Sequence, residues 1–286
     1  MTIKRLLTFF IFLEVVSAIS IAQNVFVDNQ ANQLIVIPAV ANEMPPLISP
    51  TVTPAPTAIT PVPGEFCLDV PILLYHYIKP LPLAEKLGHA ALTVDSAYFD
   101  EQMKYLNEHG YRTASSEELV QALLTHTQLP PKTVLITIDD GYDDVYDYAF
   151  PIAKKYNIVL NLMIPTGLLG KPNYMTWDEL KELSQSELVH IYNHTNSHAE
   201  LTQLNREEKT HEVHTAKEQL SNQLGNNTVV FSYPYGSIDD ESIDVVKQQG
   251  YVAGFSTKGG TEQCTSFIMT LHRTHIGNSN LDGYGF

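Results

Sequence analysis

Two adjacent carboxylates, Asp139 and Asp140, close a run of β-branched and apolar residues, Thr133-Val134-Leu135-Ile136-Thr137-Ile138, and Gly141 follows them. The run reads as a strand buried on both faces, so the acids fall at its tip, where they are costly unless something uses them. Neighbouring strand side chains point to opposite sides. One carboxylate can therefore face a metal while the other faces a bound water. Gly141 lets the chain turn away without a Cβ in the path. A calcium loop of the EF-hand kind does not fit, because Ile136 and Ile138 stand where two oxygen ligands should be. A solvated acidic turn is the competing reading, since Asp143, Asp144 and Asp147 follow closely.

His194 and His198, four apart, can both reach one cation. Zinc peptidases use this spacing with a glutamate directly after the first histidine, but Thr195 occupies that place, so their base is missing. Joined to Asp140, the pair makes a two-histidine, one-carboxylate set with an open position for water, which suits hydrolysis by zinc or a similar divalent ion. For the pair taken alone, two surface histidines in a chain with 11 His is the lesser alternative. His76, just after the apolar run Ile72-Leu73-Leu74-Tyr75, is one more polar group at a strand tip.

The elements that must position these groups alternate. After the strand at 70–74, helices are expected over 99–109 and after Ser115, where Ser115 and Glu118 read as a capping box. The acid-bearing strand is followed by a helix at about 144–156 that Pro151 must kink or restart. A strand at 159–164, a helix opened by the Thr176/Glu179 capping box, and a strand at 187–191 lead to the histidine pair. A helix at 205–224, strands at 228–231 and 252–255, a helix at 239–249 between them, and a last strand at about 268–275 complete the pattern. Continuous apolar strands separated by helices predict a parallel sheet covered on both faces. The fold class expected is α/β, a distorted (β/α)-barrel of about seven parallel strands in a single catalytic domain. Chemistry then belongs at the C-terminal strand ends, where His76, Asp139, Asp140, the His194 region and Tyr233 to Gly236 all fall.

Of the 286 residues, 44% are apolar, enough for a sizeable core, and the formal net charge is −15, which repels nucleic acid. Residues 1–22 read as a secretory signal: Lys4 and Arg5 precede the apolar run Leu6 to Val16, and Ser20-Ile21-Ala22 is a cleavable site. An uncleaved anchor is the other reading. Residues 23–66, rich in Pro and Thr from Pro38 to Pro63, read as a semi-rigid tether, and the folded domain is expected over 67–286. The expected location is therefore secreted or at the cell envelope. Cys67 and Cys264 are the only cysteines, and either a disulfide or two unpaired core thiols is open.

With these motifs in place the chain resembles the polysaccharide deacetylase family of carbohydrate esterases. That family's Thr-Phe-Asp-Asp-Gly motif corresponds to Thr137-Ile138-Asp139-Asp140-Gly141, and its His-Ser/Thr-x-x-His motif to His194-Thr195-Asn196-Ser197-His198. Its Arg-x-Pro-Tyr-Gly turn corresponds to Ser232-Tyr233-Pro234-Tyr235-Gly236, except at the arginine. The resemblance runs from about Val70 to the C-terminus. It is greatest to the branch acting on poly-β-1,6-N-acetylglucosamine, which carries a histidine near the domain start, as in Leu74-Tyr75-His76-Tyr77.

The resemblance implies that Asp140, His194 and His198 hold a divalent metal, zinc foremost with cobalt, nickel or manganese as alternatives. It implies Asp139 as the base, His76 as the acid that protonates the departing amine, and the backbone N–H of Tyr235, after Pro234, as an oxyanion donor. Trp177 could wall the acetyl pocket or be a core indole. His272 and His275 compete with His76 for the acid role. Ser232 replaces the arginine that orients the aspartate in much of the family, so Asp139 is expected to be less firmly held. The implied activity is a secreted, metal-dependent N-deacetylase of an acetylated polysaccharide, with possible cell-envelope association through the N-terminal segment. Alternatives are a peptidoglycan or chitin deacetylase, an O-acetyl xylan esterase, or a carbohydrate-binding module without turnover.

Overall fold

The computed structural model describes residues 65–286. The signal read at 1–22 and nearly all of the tether read at 23–66 lie outside the described residues. The strands are β1 (Cys67–Asp69), β2 (Ile72–Tyr75), β3 (Tyr77–Ile78), β4 (Thr93–Val94), β5 (Arg112–Thr113), β6 (Thr133–Asp139), β7 (Leu160–Ile164), β8 (Val189–Asn193), β9 (Val230–Ser232), β10 (Ala253–Phe255), β11 (Glu262–Cys264) and β12 (Thr274–His275). The helices are α1 (Leu81–Leu87), α2 (Ser96–Glu108), α3 (Ser116–Thr125), α4 (Phe150–Tyr156), α5 (Trp177–Leu183), α6 (Arg206–Leu224) and α7 (Asp240–Gln248).

Seven strands pair in parallel in the order β10-β9-β8-β7-β6-β2-β12, and β5 adds to the start of β6. The sheet curls, and the end of β10 meets the segment before β12 through an isolated parallel bridge between Phe255 and Leu271 and the Arg273 N–H donating to the Lys258 carbonyl. It is a distorted half-barrel of α/β class, as the alternation of elements predicts.

All seven residues of β6 are buried. Alternate ones serve two cores: Val134, Ile136 and Ile138 meet the helices α2, α4 and α5, while Leu135 joins Ile72, Met163, Tyr192 and Phe255 on the inner face. Thr137 and Asp139 continue that inner face by the period of two. Register then aligns the tips, pairing Tyr75 with Ile138, Asp139 with Met163, and Ile164 with Asn193. His76, the acid pair and His194 consequently emerge side by side.

Local differences from expectation have local causes. The Thr176 capping box is complete, but at Ser115 only half forms: Ser115 accepts from the Glu118 backbone N–H, while the Glu118 carboxylate is taken by Arg112 at 2.7 Å. Pro151 sits in the first turn of α4, behind a π-helical turn at Val145–Ala149, so the helix restarts there. The last strand is shorter than read. Residues Thr265–Thr270 form 3₁₀ turns, with Met269 packed in a third core, and pairing with β2 begins at Thr274.

Cys67 and Cys264 face each other across the antiparallel β1–β11 pair and are joined by a disulfide spanning 197 residues. Among the described residues no helix is long and apolar enough to cross a membrane.

Candidate active site

The loops that deliver the acid pair and the histidine pair are held by residues in the left-handed region. After β6 the chain turns through Asp140 (φ 75°) and Gly141 (φ 68°). A Cβ at Gly141 would stand 3.1 Å from Ile164 Cδ1. After β8, Thr195 (φ 66°) and His198 (φ 61°) do the same. Non-glycine residues in this region are costly and persist where surroundings over-determine them. Here the determinant is Asn193, whose Oδ1 accepts from the Thr195 N–H while its amide donates to the Val213 carbonyl and the Tyr251 hydroxyl. Glu212 holds the other side of the loop by accepting from the N–H and hydroxyl of Ser197.

Asp140, His194 and His198 come together. Asp140 Oδ1 lies 3.0 Å from His198 Nε2 and 3.6 Å from His194 Nε2, and the three potential ligand atoms are all within 4.8 Å of one another. Asp140 Oδ1 is buried and accepts no hydrogen bond. His194 Nδ1 lies 2.8 Å from the Ser232 carbonyl, which can only accept, so that nitrogen carries the proton and Nε2 turns a lone pair inward. Lone pairs converging on one buried point, with an outer partner fixing one ring's tautomer, are the donor set and surroundings of a divalent-cation site, and these residues fit one. Burial favours the neutral acid at Asp140, but the two imidazoles outweigh it and hold the carboxyl well below the usual carboxylate range.

Asp139, 2% exposed, is not loosely held, which corrects the expectation drawn from Ser232. The fully buried Arg273 clamps it, Nη1 to Oδ1 at 2.7 Å and Nη2 to Oδ2 at 2.8 Å. The remaining guanidinium N–H groups donate to the Ser256 carbonyl (2.9 Å), Thr137 Oγ1 (3.3 Å) and Ser232 Oγ (3.1 Å), so all five donors have acceptors. Ser232 is therefore an acceptor for an arginine that arrives from the segment before β12. Burial raises the Asp139 carboxyl, but Arg273 together with His194 and His76 more than reverses this, leaving it below its ordinary value.

His76 is half-buried and stacks parallel to the exposed His275, with centroids 5.7 Å apart and planes 5° apart. Burial pulls His76 below the ordinary imidazole value against the upward pull of Asp139 and Asp140. His272 stacks on Phe267 at 4.6 Å, and burial, then the nearby Lys258, hold its ring below the ordinary imidazole value.

Tyr235 takes a left-handed conformation (φ 60°) after the buried Pro234 and sets its ring edge-on to His198 at 4.6 Å. Trp177 opens α5 and packs, partly buried, against the core that β6 shares with the helices.

A curled parallel sheet that carries an acid–imidazole cluster and a clamped carboxylate at the carboxyl ends of its strands has the architecture of a hydrolase. The comparisons with known proteins narrow that class. The polysaccharide deacetylase family model matches residues 126–254, and the family protein YxkH of Bacillus subtilis (strain 168) is 31% identical over 208 residues, covering 72% of this chain and 71% of its own. The chain belongs to the polysaccharide deacetylase family.

A poly-beta-1,6-N-acetyl-D-glucosamine N-deacetylase of Staphylococcus aureus (strain N315) is 27% identical over 177 residues, covering 57% of this chain and 61% of its own. This chain thus spans less than two thirds of that relative. Among solved structures, the Streptococcus pyogenes deacetylase PplD in complex with acetate superposes with a TM-score of 0.70 at 29% identity, over 79% of this chain and 97% of that one.

Proposed function

We propose that the protein is a metal-dependent N-deacetylase of an N-acetylglucosamine polymer, with a poly-β-1,6-linked chain as first substrate. The observation that carries this reading is the buried Asp140 oxygen facing two imidazole nitrogens next to an arginine-clamped Asp139. The likeness to the staphylococcal enzyme supports the linkage.

Asp140, His194 and His198 would hold the cation, zinc foremost. When bound, it supplies Lewis acidity, polarising the acetamide carbonyl and making a water more acidic. Asp139 takes the proton of the attacking water, and Arg273 keeps both carboxylate oxygens aimed as it does so. The Tyr235 backbone N–H donates to the oxygen on which negative charge grows. His76 gives its proton to the amine nitrogen as the C–N bond breaks. Without that proton the leaving group would be an amide anion, and such transfers are worth roughly 10²–10⁴-fold in rate.

A carbohydrate-binding module without turnover would have no need of a firmly aimed Asp139, and Arg273 holds it in a two-bond clamp. Residues 1–22 as an export signal and 23–66 as a tether fit a substrate outside the cell. The test is acetate release by purified protein, before and after chelation and zinc return, from β-1,6- and β-1,4-linked N-acetylglucosamine oligomers, peptidoglycan and acetylated xylan. Release from the β-1,6 oligomer that is lost on chelation and restored by zinc is expected. Release from none of them would overturn the hydrolase reading.

A further inference from the structure

Pairing of β2 with β6 ends at Tyr75, opposite Ile138. The next strand, β3, leaves the main sheet and pairs with β4 in a two-stranded sheet of its own. His76 stands at the point of departure, so the main ladder fixes it on one side only. A group that gives its proton to a departing nitrogen needs a hold on the other side as well, because a misplacement of about 1 Å already costs rate.

Asp144 supplies that second hold. Its Oδ2 accepts from the Ile78 N–H at 3.1 Å and lies 3.2 Å from Lys79 Nζ, while the Tyr77 ring stacks on Tyr142 at 3.7 Å. Tyr75, Tyr77 and Ile78 are thereby tied to Ile138, Tyr142 and Asp144, on either side of the turn that carries Asp139 and Asp140, and His76 is enclosed by the ties. Lys79 strengthens both of the later ones, since its Nζ also sits 4.7 Å from the centre of the Tyr77 ring.

Stability does not account for this arrangement. Asp144 and Lys79 are both buried, and Asp144 Oδ1 accepts no hydrogen bond. A buried ion pair returns little or nothing over apolar side chains of the same size, and an orphaned oxygen adds to its cost. What the pair does achieve is direction, an acceptor at one point that Ile78 reaches only when β3 lies against the acid turn.

We propose that Asp144, with Lys79 held on it, is a positioning residue: it stitches the strand that follows His76 to the turn that carries the acid pair, and so aims His76 at the departing amine. This rests on the proposed function and adds how its acid is placed.

The experiment replaces the pair by apolar side chains of similar summed size, Asp144→Val together with Lys79→Met, a change that buried ion pairs commonly tolerate without loss of fold. On a β-1,6-linked N-acetylglucosamine pentamer, kcat is expected to fall about ten-fold with KM little changed. On 4-nitrophenyl acetate, whose leaving group needs no proton, the rate is expected to stay within about two-fold. Asp144→Asn keeps an oxygen for the Ile78 N–H and should hold polymer turnover within about three-fold of wild type. In a His76→Gln background the paired replacement should cost nothing further, since both changes act through one group. Equal losses on the two substrates, or a further loss of about ten-fold in the His76→Gln background, would overturn the assignment. Amide exchange at Ile78 needs no turnover and separates this assignment from the proposed function. Protection lost in the paired replacement and kept in Asp144→Asn is expected, and unchanged protection would overturn the stitch. Wild type that releases no acetate while Ile78 behaves as expected would overturn the proposed function and leave the stitch standing.

Discussion

Arg273 meets Asp139 through two parallel N–H···O bonds of 2.7 and 2.8 Å, across 134 residues of chain and out of reach of solvent. A planar fork of this kind fixes both the distance and the plane of the carboxylate, which a lysine cannot do. Arg273→Lys keeps the charge and loses the fork. A drop in kcat of about 10²-fold with KM little changed is expected, as for a misaimed base. Equal kcat values in steady-state assays would show that the fork is not what positions Asp139.

Removing the guanidinium altogether strands a buried carboxylate. Arg273→Ala should cost about 3–5 kcal/mol of stability, the usual penalty for breaking one side of a buried pair. Urea unfolding reads it directly, and a loss under about 1 kcal/mol would mean that Asp139 finds another partner or water.

In the proposed function Asp140 is one of three cation ligands, which links metal and stability. Zinc added to metal-free protein is expected to raise Tm in wild type and to leave Asp140→Ala unmoved, because a ligand that binds only the folded state stabilises it by mass action. Metal analysis should find about one equivalent in wild type. A Tm rise preserved in Asp140→Ala would place the ion elsewhere.

How far the sequence foretold this site depended on whether each group announces itself locally. Asp139 and Asp140 were legible because acids ending a buried strand break the apolar pattern, and His194 with His198 because their spacing matches a known ligand geometry. Arg273 was not, because a buried cation is recognisable only through its partner, and that partner lies on another strand. The same stretch misled the reading of the last strand. Residues 265–270 look strand-like by composition, yet pairing of β11 with β1 draws the chain out of the parallel sheet and it coils before re-entering at β12. The alternation of buried strands and capped helices carries the fold class, while the incomplete closure joins the end of β10 to the segment before β12 through long-range pairing that no local pattern encodes.

Asp144 gives a pH signature independent of the cation. It is 1% exposed, and burial raises its pKa to about 6 despite Lys79 at 3.2 Å and the Ile78 N–H. The native state therefore holds this proton up to a higher pH than the unfolded chain does. The contribution favours folding below the unfolded carboxylate value and is lost as pH rises through about 6. Asp144→Asn should flatten the pH dependence of the urea midpoint between the ordinary carboxylate range and that point. An identical profile in the variant would assign the dependence to other groups.

The acid role separates His76 from its neighbours by the leaving group. An amine cannot depart from the tetrahedral carbon unprotonated, whereas 4-nitrophenolate leaves readily without help. His76→Gln should therefore lower kcat on the acetamide polymer by roughly 10²–10⁴-fold and alter turnover of 4-nitrophenyl acetate far less. His272→Gln, whose ring faces Phe267, should leave both rates near wild type. His275→Gln is the discriminating variant, since its ring lies flat against His76 at 5.7 Å. If it alone loses polymer activity while His76→Gln retains it, the proton comes from β12, and the assignment moves from the first parallel strand to the last.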